Sequence, residues 1–386
     1  MSIAHSHAGS AVAGAGGRLS VNLGALVRNW KTLAAHAGRA DCAAVVKANA
    51  YGCGTREVVA ALARAGCRSF YVALPAEGVV ARKAAPNASI GVLNGYFADA
   101  ADTYVEHRLR PVLGSVEEID GWRTLCERRA NPLPCILHVD TGMNRLGLTV
   151  EEFHELADTD ALAGIAITML MTHFACADDL GHPKTLLQRE RIAQCAERLP
   201  QVPVAAANSA GSLQNGEGSR FAFDQVRAGV AMYGAEALND VANPMEPVVT
   251  LEGRVLRVRP VAAGDTVGYG AAQTMVRDSR IAIVCVGYAD GYHRAASNAG
   301  VSMRALSAPA KAWFDGRSVP GVGRISMDLC AFDVTDLPET AIGPGDWIEL
   351  FGPNIAIDDV ARAAGTIGYE LLTGLGQRFA RTYIGC

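Results

Sequence analysis

The sequence has no apolar run long enough to cross a membrane. Its longest, Ala161 to Met171, stops at Thr172 and His173, well short of the roughly 18 residues that a spanning helix needs. The first 17 residues contain no Lys or Arg, and glycines interrupt their run of small residues. That pattern argues against a secretory signal, so residues 1–17 are expected to be a disordered extension and the protein cytoplasmic. Charge is scarce, with 19% Asp, Glu, Lys and Arg, and neither sign dominates. With 35 Lys plus Arg against 39 Asp plus Glu, the net charge of -4 gives no electrostatic reason to expect a nucleic acid or an anionic membrane as partner. Small-molecule chemistry is the better expectation. The 10 cysteines include no CxxC pair and no ordered His/Cys pattern, which argues against a zinc site or a disulfide framework and for reduced thiols. No metal is expected.

Half of the 386 residues are hydrophobic, enough for a large core, and at about 150 residues per domain the length predicts two or three domains. From Arg18 to about Arg227, short β-type runs alternate with amphipathic helical runs. Strands are expected at Ala43–Lys47, Phe70–Leu74, Ile90–Leu93, Pro111–Leu113, Cys135–Asp140, Ile167–Thr172 and Pro203–Asn208. Helices are expected at Leu23–Ala37, Arg56–Ala65, Ala76–Lys83, Val116–Arg129, Val150–Ala157 and Leu186–Leu199. About eight such units suit a closed (β/α)8 barrel better than an open doubly wound sheet. After Pro247 the pattern changes to period-2 alternation between glycine turns, as in VVTLEGRVLRVRPV and RIAIVCVGYADG, which reads as antiparallel sheet. The expected division is therefore an extension over 1–17, a barrel over 18–246 and a β domain over 247–386, with no low-complexity linker. In the β domain, helices are expected only at Ile357–Ala364 and Tyr369–Leu375.

Within VVKANAYGCG, Lys47 ends an apolar strand among small residues. Poor solvation lowers an ammonium pKa and leaves an amine able to form a Schiff base with a carbonyl cofactor such as pyridoxal phosphate. A strand-end lysine that simply reaches solvent is the competing reading of these residues alone. Other polar groups cluster at strand ends too: Asp140 and Arg145 in HVDTGMNRLG, His173 in THFACADD, Ser209 in NSAG, and Arg227 and Gly229 in VRAGVAMYG. Barrel enzymes build their sites at the C-terminal ends of their strands, and glycine-flanked turns suit a phosphate.

From about Arg18 to the C-terminus the chain resembles the bacterial alanine racemases, fold-type III pyridoxal-phosphate enzymes. The resemblance rests on VVKANAYG, HVDTGMNRLG, THFA, NSAG, VRAGVAMYG, VGYADGY, VGRISMD, GDWIELFG and GYELLTGL, all in the family's order. It implies a (β/α)8 barrel followed by a β domain, a homodimer with shared active sites, and an amino-acid substrate. By position, Lys47 would be the Schiff-base lysine and one of two catalytic bases, and Tyr288 of VGYADGY, from the other subunit, the second. Tyr51, Ser209, Gly229, Val230 and Tyr369 would hold the cofactor phosphate, Arg227 would face its ring nitrogen, and His173 would link that arginine to the tyrosine. Arg145 would serve the cofactor phenolate and the substrate carboxylate. Met327, beside Asp328, would offer its backbone N–H to that carboxylate.

The chain departs from the family pattern at His138, where many members carry a lysine that can be carbamylated to bridge to the arginine, and at Cys53, which replaces the histidine of YGHG. His138 cannot form a carbamate, so Arg145 needs another orienting group, with His138 itself, Asn144 or an anion as choices. Among the other histidines, His107, His154, His182 and His293, together with Tyr292, Tyr383 and Cys386, carry no inferred role. Three rival functions share part of the pattern. A non-catalytic pyridoxal-phosphate binder generally lacks the second domain and its tyrosine. A fold-type III decarboxylase is less similar over VGYADGY and ISMD. A serine or broad-specificity racemase is set apart least.

Overall fold

The computed structural model describes residues 14–214, 221–297 and 310–385. Eight short parallel strands close on themselves: β2 (Asp41–Val45), β3 (Ser69–Val72), β4 (Ser89–Val92), β5 (Arg110–Leu113), β6 (Pro134–His138), β7 (Ala166–Met171), β8 (Val204–Ala205) and β9 (Gln225–Ala228). Pairing of β2 with β9 seals the ring. Most of these strands read as unbroken apolar runs because barrel strands are buried on both faces. Amphipathic helices alternate with them, and their starts are written in side chains. Ser115 accepts from the Glu118 N–H, while Thr149 and Glu152 form a reciprocal cap ahead of Val150–Ala157, satisfying N–H groups that a helix leaves unpaired.

The seven expected strands form, but most end one to three residues earlier than expected, and that over Pro203–Asn208 shrinks to two residues. Lys47 therefore lies just beyond its strand. The eighth strand, QVRA, escapes a hydrophobic pattern because Gln225 and Arg227 are polar yet point into a polar layer inside the barrel. There Tyr71 donates to Gln225 at 2.6 Å, and Gln225 donates to Asp41 at 2.8 Å. Gly91 makes room for this layer, since a Cβ there would sit 2.6 Å from the Tyr71 ring. The helix expected at Leu186–Leu199 starts earlier and runs Pro183–Ala196, with proline in its first turn and His182 as cap. A short helix, Ala101–Glu106, has no counterpart in the expectation.

The barrel unit is Leu26–Glu246; the second compact unit joins the N-terminal segment through Ala25 to everything from Pro247. Arg18–Asn22, read from the sequence as the opening of the barrel, lies in that second unit. It belongs to β1 (Gly17–Asn22), which pairs antiparallel with β10 (Val249–Val261) and parallel with β18 (Ala380–Ile384). The strand alternates buried and partly exposed residues, the signature of a strand covered on one face rather than of a barrel strand. Residues 1–13 of the expected extension lie outside the described residues.

The remaining strands of this unit are β11 (Thr266–Val267), β12 (Gln273–Thr274), β13 (Ser279–Val284), β14 (Lys311–Phe314), β15 (Arg317–Pro320), β16 (Cys330–Asp333) and β17 (Trp347–Phe351). The main sheet runs β15-β14-β17-β10-β1-β18, with β13 and β16 continuing from β10. Apart from β1 with β18, its pairings are antiparallel. Helices Ile357–Ala364 and Gly368–Thr373 complete it. No helix among the described residues is long and apolar enough to cross a membrane.

Candidate active site

Lys47 opens a five-residue turn, Lys47–Tyr51, in which Ala48, Asn49, Ala50 and Tyr51 all have φ near +53°. Left-handed backbone costs an L-residue about 1–2 kcal/mol, so four in succession persist only if the surroundings hold them. The Ala50 N–H donates to Val46 O at 3.0 Å, Gly52 to Ala48 O at 2.9 Å and Gly54 to Asn49 O at 2.9 Å. Asn49 Oδ1 accepts from Thr55 N. Glu77 then clamps the turn from 29 residues away: one carboxylate oxygen accepts from Ala48 N at 2.7 Å, the other from Ala73 N and Leu74 N at 2.8 and 3.2 Å. Burial lowers the Lys47 ammonium pKa first and Arg145 lowers it further, while Glu77 opposes them. The free amine at Lys47 is thus easier to reach than on an ordinary lysine.

The turn delivers Tyr51 to the ends of β8 and β9. Its ring stacks on Tyr233 with centroids 4.6 Å apart, and the buried Tyr233 hydroxyl donates to Val45 O. Ser209 begins the short helix after β8 and accepts from Gly229 N at 2.8 Å. A Cβ at position 229 would lie 3.0 Å from Tyr51 Oη and 3.7 Å from Ser209 Oγ. Glycine therefore leaves open a small cradle bounded by two hydroxyls and by the backbone entering Val230–Tyr233.

Arg227, on β9, is almost wholly buried. Its Nη2 donates to Thr172 O at 2.6 Å and Ala206 O at 3.2 Å and lies 3.2 Å from His173 Nδ1, whereas Nη1 is buried without a partner among the described residues. Burial lowers its pKa to about 10, which leaves it a cation at neutral pH. A protonated guanidinium only donates, so His173 Nδ1 accepts and the imidazole proton sits on Nε2. His173 keeps some surface at the barrel mouth, but dense packing, reinforced by Arg227, Arg145, His138 and Lys47, pushes its pKa well down and keeps it neutral. His138 is likewise lowered to about 4, by burial first and then by Arg227, with Asp140 opposing.

Arg145 lies in an exposed turn shaped by Asp140, whose carboxylate accepts from the N–H groups of Gly142, Met143 and Arg145. Asp140 thus builds the loop backbone. The barrel unit brings together Lys47, Tyr51, His173, Ser209, Arg227 and Gly229, with Val230 following directly. Tyr288, Met327 and Tyr369 belong to the other unit. There Tyr288 opens a short turn at 40% exposure and Met327 is 54% exposed. Backbone bonds lace their loops together, Tyr288 N to Ser326 O at 3.1 Å and Ala289 N to Met327 O at 3.0 Å. Tyr369 lies on the helix Gly368–Thr373. Sequence reasoning missed Glu77; its place in the first turn after Leu74-Pro75 marks a helix start, but nothing local signals its reach to Ala48.

A family model described as the alanine racemase N-terminal domain matches residues 21–237, and one for the alanine racemase C-terminal domain matches residues 248–383. The chain belongs to the alanine racemase family. Alanine racemase of Rhizobium meliloti (strain 1021) is 47% identical over 373 residues, 96% of this chain and 97% of that one. A biosynthetic alanine racemase of Agrobacterium fabrum is 45% identical over 95% of this chain and 93% of its own length. The crystal structure of alanine racemase from Bartonella henselae with covalently bound pyridoxal phosphate matches with a TM-score of 0.87 at 36% identity, covering 96% of this chain and 100% of that one. An alanine racemase barrel needs a partner for a cofactor ring nitrogen and room for a phosphate; the orphaned Nη1 of Arg227 and the Gly229 cradle fit both.

Proposed function

We propose that the protein is an alanine racemase that interconverts L- and D-alanine with pyridoxal phosphate, using Lys47 and Tyr288 as bases on opposite faces of Cα. The observation that carries the reading is the barrel-end cluster around His173, on which both Lys47 and Arg227 act: a desolvated lysine on a strained, clamped turn, and a buried arginine whose Nη1 has no partner among the described residues. Lys47 would hold the cofactor. Tyr51, Ser209, Gly229, Val230 and Tyr369 would hold its phosphate, with Arg227 facing its ring nitrogen. Bound pyridoxal phosphate supplies an electron sink that acidifies the substrate Cα–H.

The remaining chemistry belongs to the side chains. Arg227 keeps its own proton, so it stabilises charge at the ring nitrogen without donating fully to it, which favours proton exchange over deeper electron withdrawal. Lys47, with its lowered pKa, takes or returns the proton on the D face, and Tyr288 does so on the L face. His173, with Nδ1 accepting from Arg227, presents Nε2–H as a donor to the tyrosine oxygen. Arg145 and the Met327 N–H would meet the substrate carboxylate. His138 stays neutral and cannot carry the charge of a carbamylated lysine; Asp140 sets the Arg145 loop through its backbone.

The working form we propose is a homodimer in which each Lys47 is served by Tyr288 of the partner subunit. The nine described cysteines are all free, which supports a reducing cytoplasm. Mixing inactive Lys47→Ala with inactive Tyr288→Phe subunits should restore activity, because some mixed dimers then contain one intact site. No recovery after demonstrated subunit exchange would overturn the shared site. A chiral assay over single-enantiomer amino acids separates alanine from serine or broad specificity, and loss of total amino acid would indicate a decarboxylase.

A further inference from the structure

Asp290 is a carboxylate that the fold has almost completely buried, three residues from the start of the loop that carries Tyr288. Its Oδ2 accepts from Gly287 N at 2.9 Å, and its Oδ1 accepts from Arg378 Nε at 2.7 Å. The same guanidinium turns its Nη1 to Asp328 at 2.8 Å. Arg378 thus ties together the turn Tyr288–Asp290 and the segment containing Met327 and Asp328. The joint is close: a Cβ at Gly287 would lie 2.3 Å from Met327 O and 2.4 Å from Ser326 O, so glycine is required for the two backbones to meet. Gly376 N, two residues before the arginine, donates to Asp290 O at 3.0 Å.

We propose that Arg378, acting through Asp290 and Asp328, is a positioning residue for the second base: it fixes the Tyr288 turn and the Met327 segment in one register. This rests on the reading of Tyr288 as the L-face base. An exposed ion pair alone contributes little, and Arg378 is about half exposed. Asp290 differs, because a buried carboxylate stripped of its cation is left uncompensated and the loop must move to find another partner. Two planar N–H vectors leaving one guanidinium in different directions suit two carboxylates, while a lysine ammonium is a point charge that cannot reproduce that fork.

The test uses the cofactor-loaded enzyme and follows exchange of the α-deuteron of each alanine enantiomer into water beside racemisation. Arg378→Ala is expected to slow racemisation in both directions and L-alanine exchange by up to about 100-fold, the scale of a misplaced catalytic group. D-alanine exchange through Lys47 should be nearly unchanged. Arg378→Lys should fall between the two, and Asp328→Asn, which removes only the exposed arm, provides a milder variant should Arg378→Ala fail to fold. Equal loss of both exchange rates, or no change in either across these variants, overturns the positioning role. Tyr288→Phe is run in parallel: if it shows no L-selective loss, the base assignment fails instead, and the two failures are distinguishable.

Discussion

The two proposed bases are held in opposite ways. Lys47 stands on backbone that its sequence alone would not choose, four left-handed residues locked by internal hydrogen bonds and by Glu77, with burial and Arg145 pressing on its charge. Tyr288 stands on an exposed 3-10 turn of ordinary conformation, fixed by lacing to a neighbouring loop and by a carboxylate–guanidinium joint. The barrel spends strain to present a reactive amine; the β domain presents its residue on a surface and leaves it accessible. Such a division suits a site in which one base must be desolvated and held close to a cofactor while the other is supplied from a separate surface.

The largest effect expected from this contrast is at the strained side. Lys47→Ala should abolish racemisation and the yellow colour of lysine-linked pyridoxal phosphate, measured by absorbance on protein purified with added cofactor. A coloured, active variant would remove Lys47 from both roles. Tyr288→Phe should slow racemisation by about 10² to 10⁴, in both directions together because the equilibrium is unchanged, while colour survives. L-alanine α-proton exchange should nearly vanish and D-alanine exchange persist; equal exchange of both enantiomers would mean that one base reaches both faces.

The contrast also predicts where acid acts. An unfolded histidine takes up a proton near pH 6.5, but folded His138 does so only at about 4. Between those values the unfolded state binds more protons, so stability is full above the window and falls as pH drops through it, by about 3 kcal/mol at most for this residue. His173 shifts in the same direction. His138→Asn should lose less stability than the parent between pH 6.5 and 4 in denaturant titrations, and equal pH slopes would show that His138 is protonated in the folded state.

Much of this was legible in the residues. The barrel rhythm, the change to sheet after Pro247 and the ordered motifs are local patterns, and Lys47, His173, Ser209 and Arg227 stand out as polar residues at the ends of apolar runs, although Lys47 by itself also fits a strand end that reaches solvent. What was illegible depends on partners distant in sequence. Arg18–Asn22 gives no local sign of its place until Glu252 and Ala380 pair with Arg18 from either side. QVRA hides because its polar side chains fill an interior layer, and Asp290 with Arg378, 88 residues apart, share no periodicity. The left-handed turn at Ala48–Tyr51 contains no glycine and so gives none of the usual signals for positive φ.

The smallest effect expected is at Glu77, and it tests whether the strained turn is actively held. Two different oxygens face three N–H groups, Ala48 on one side and Ala73 with Leu74 on the other. A carboxylate accepts on both sides; a glutamine carries one acceptor and must aim its NH2 at one set. Glu77→Gln therefore keeps size and packing but loses one side of the clamp. Because Ala48 and Leu74 are exposed, water relieves part of the penalty, and the cost belongs at the low end of the range for an unsatisfied group, about 1 kcal/mol. Removing the carboxylate charge also removes an influence that raises the Lys47 pKa, so the Lys47 ammonium should titrate lower in the cofactor-free protein. The expected outcome is a slightly lower melting temperature together with a downward shift of the Lys47 titration, read from the pH dependence of its labelling by an amine-reactive reagent. A lowered melting temperature with an unmoved titration would make Glu77 only a helix cap, whereas no change in either would show that the internal hydrogen bonds hold the turn without it.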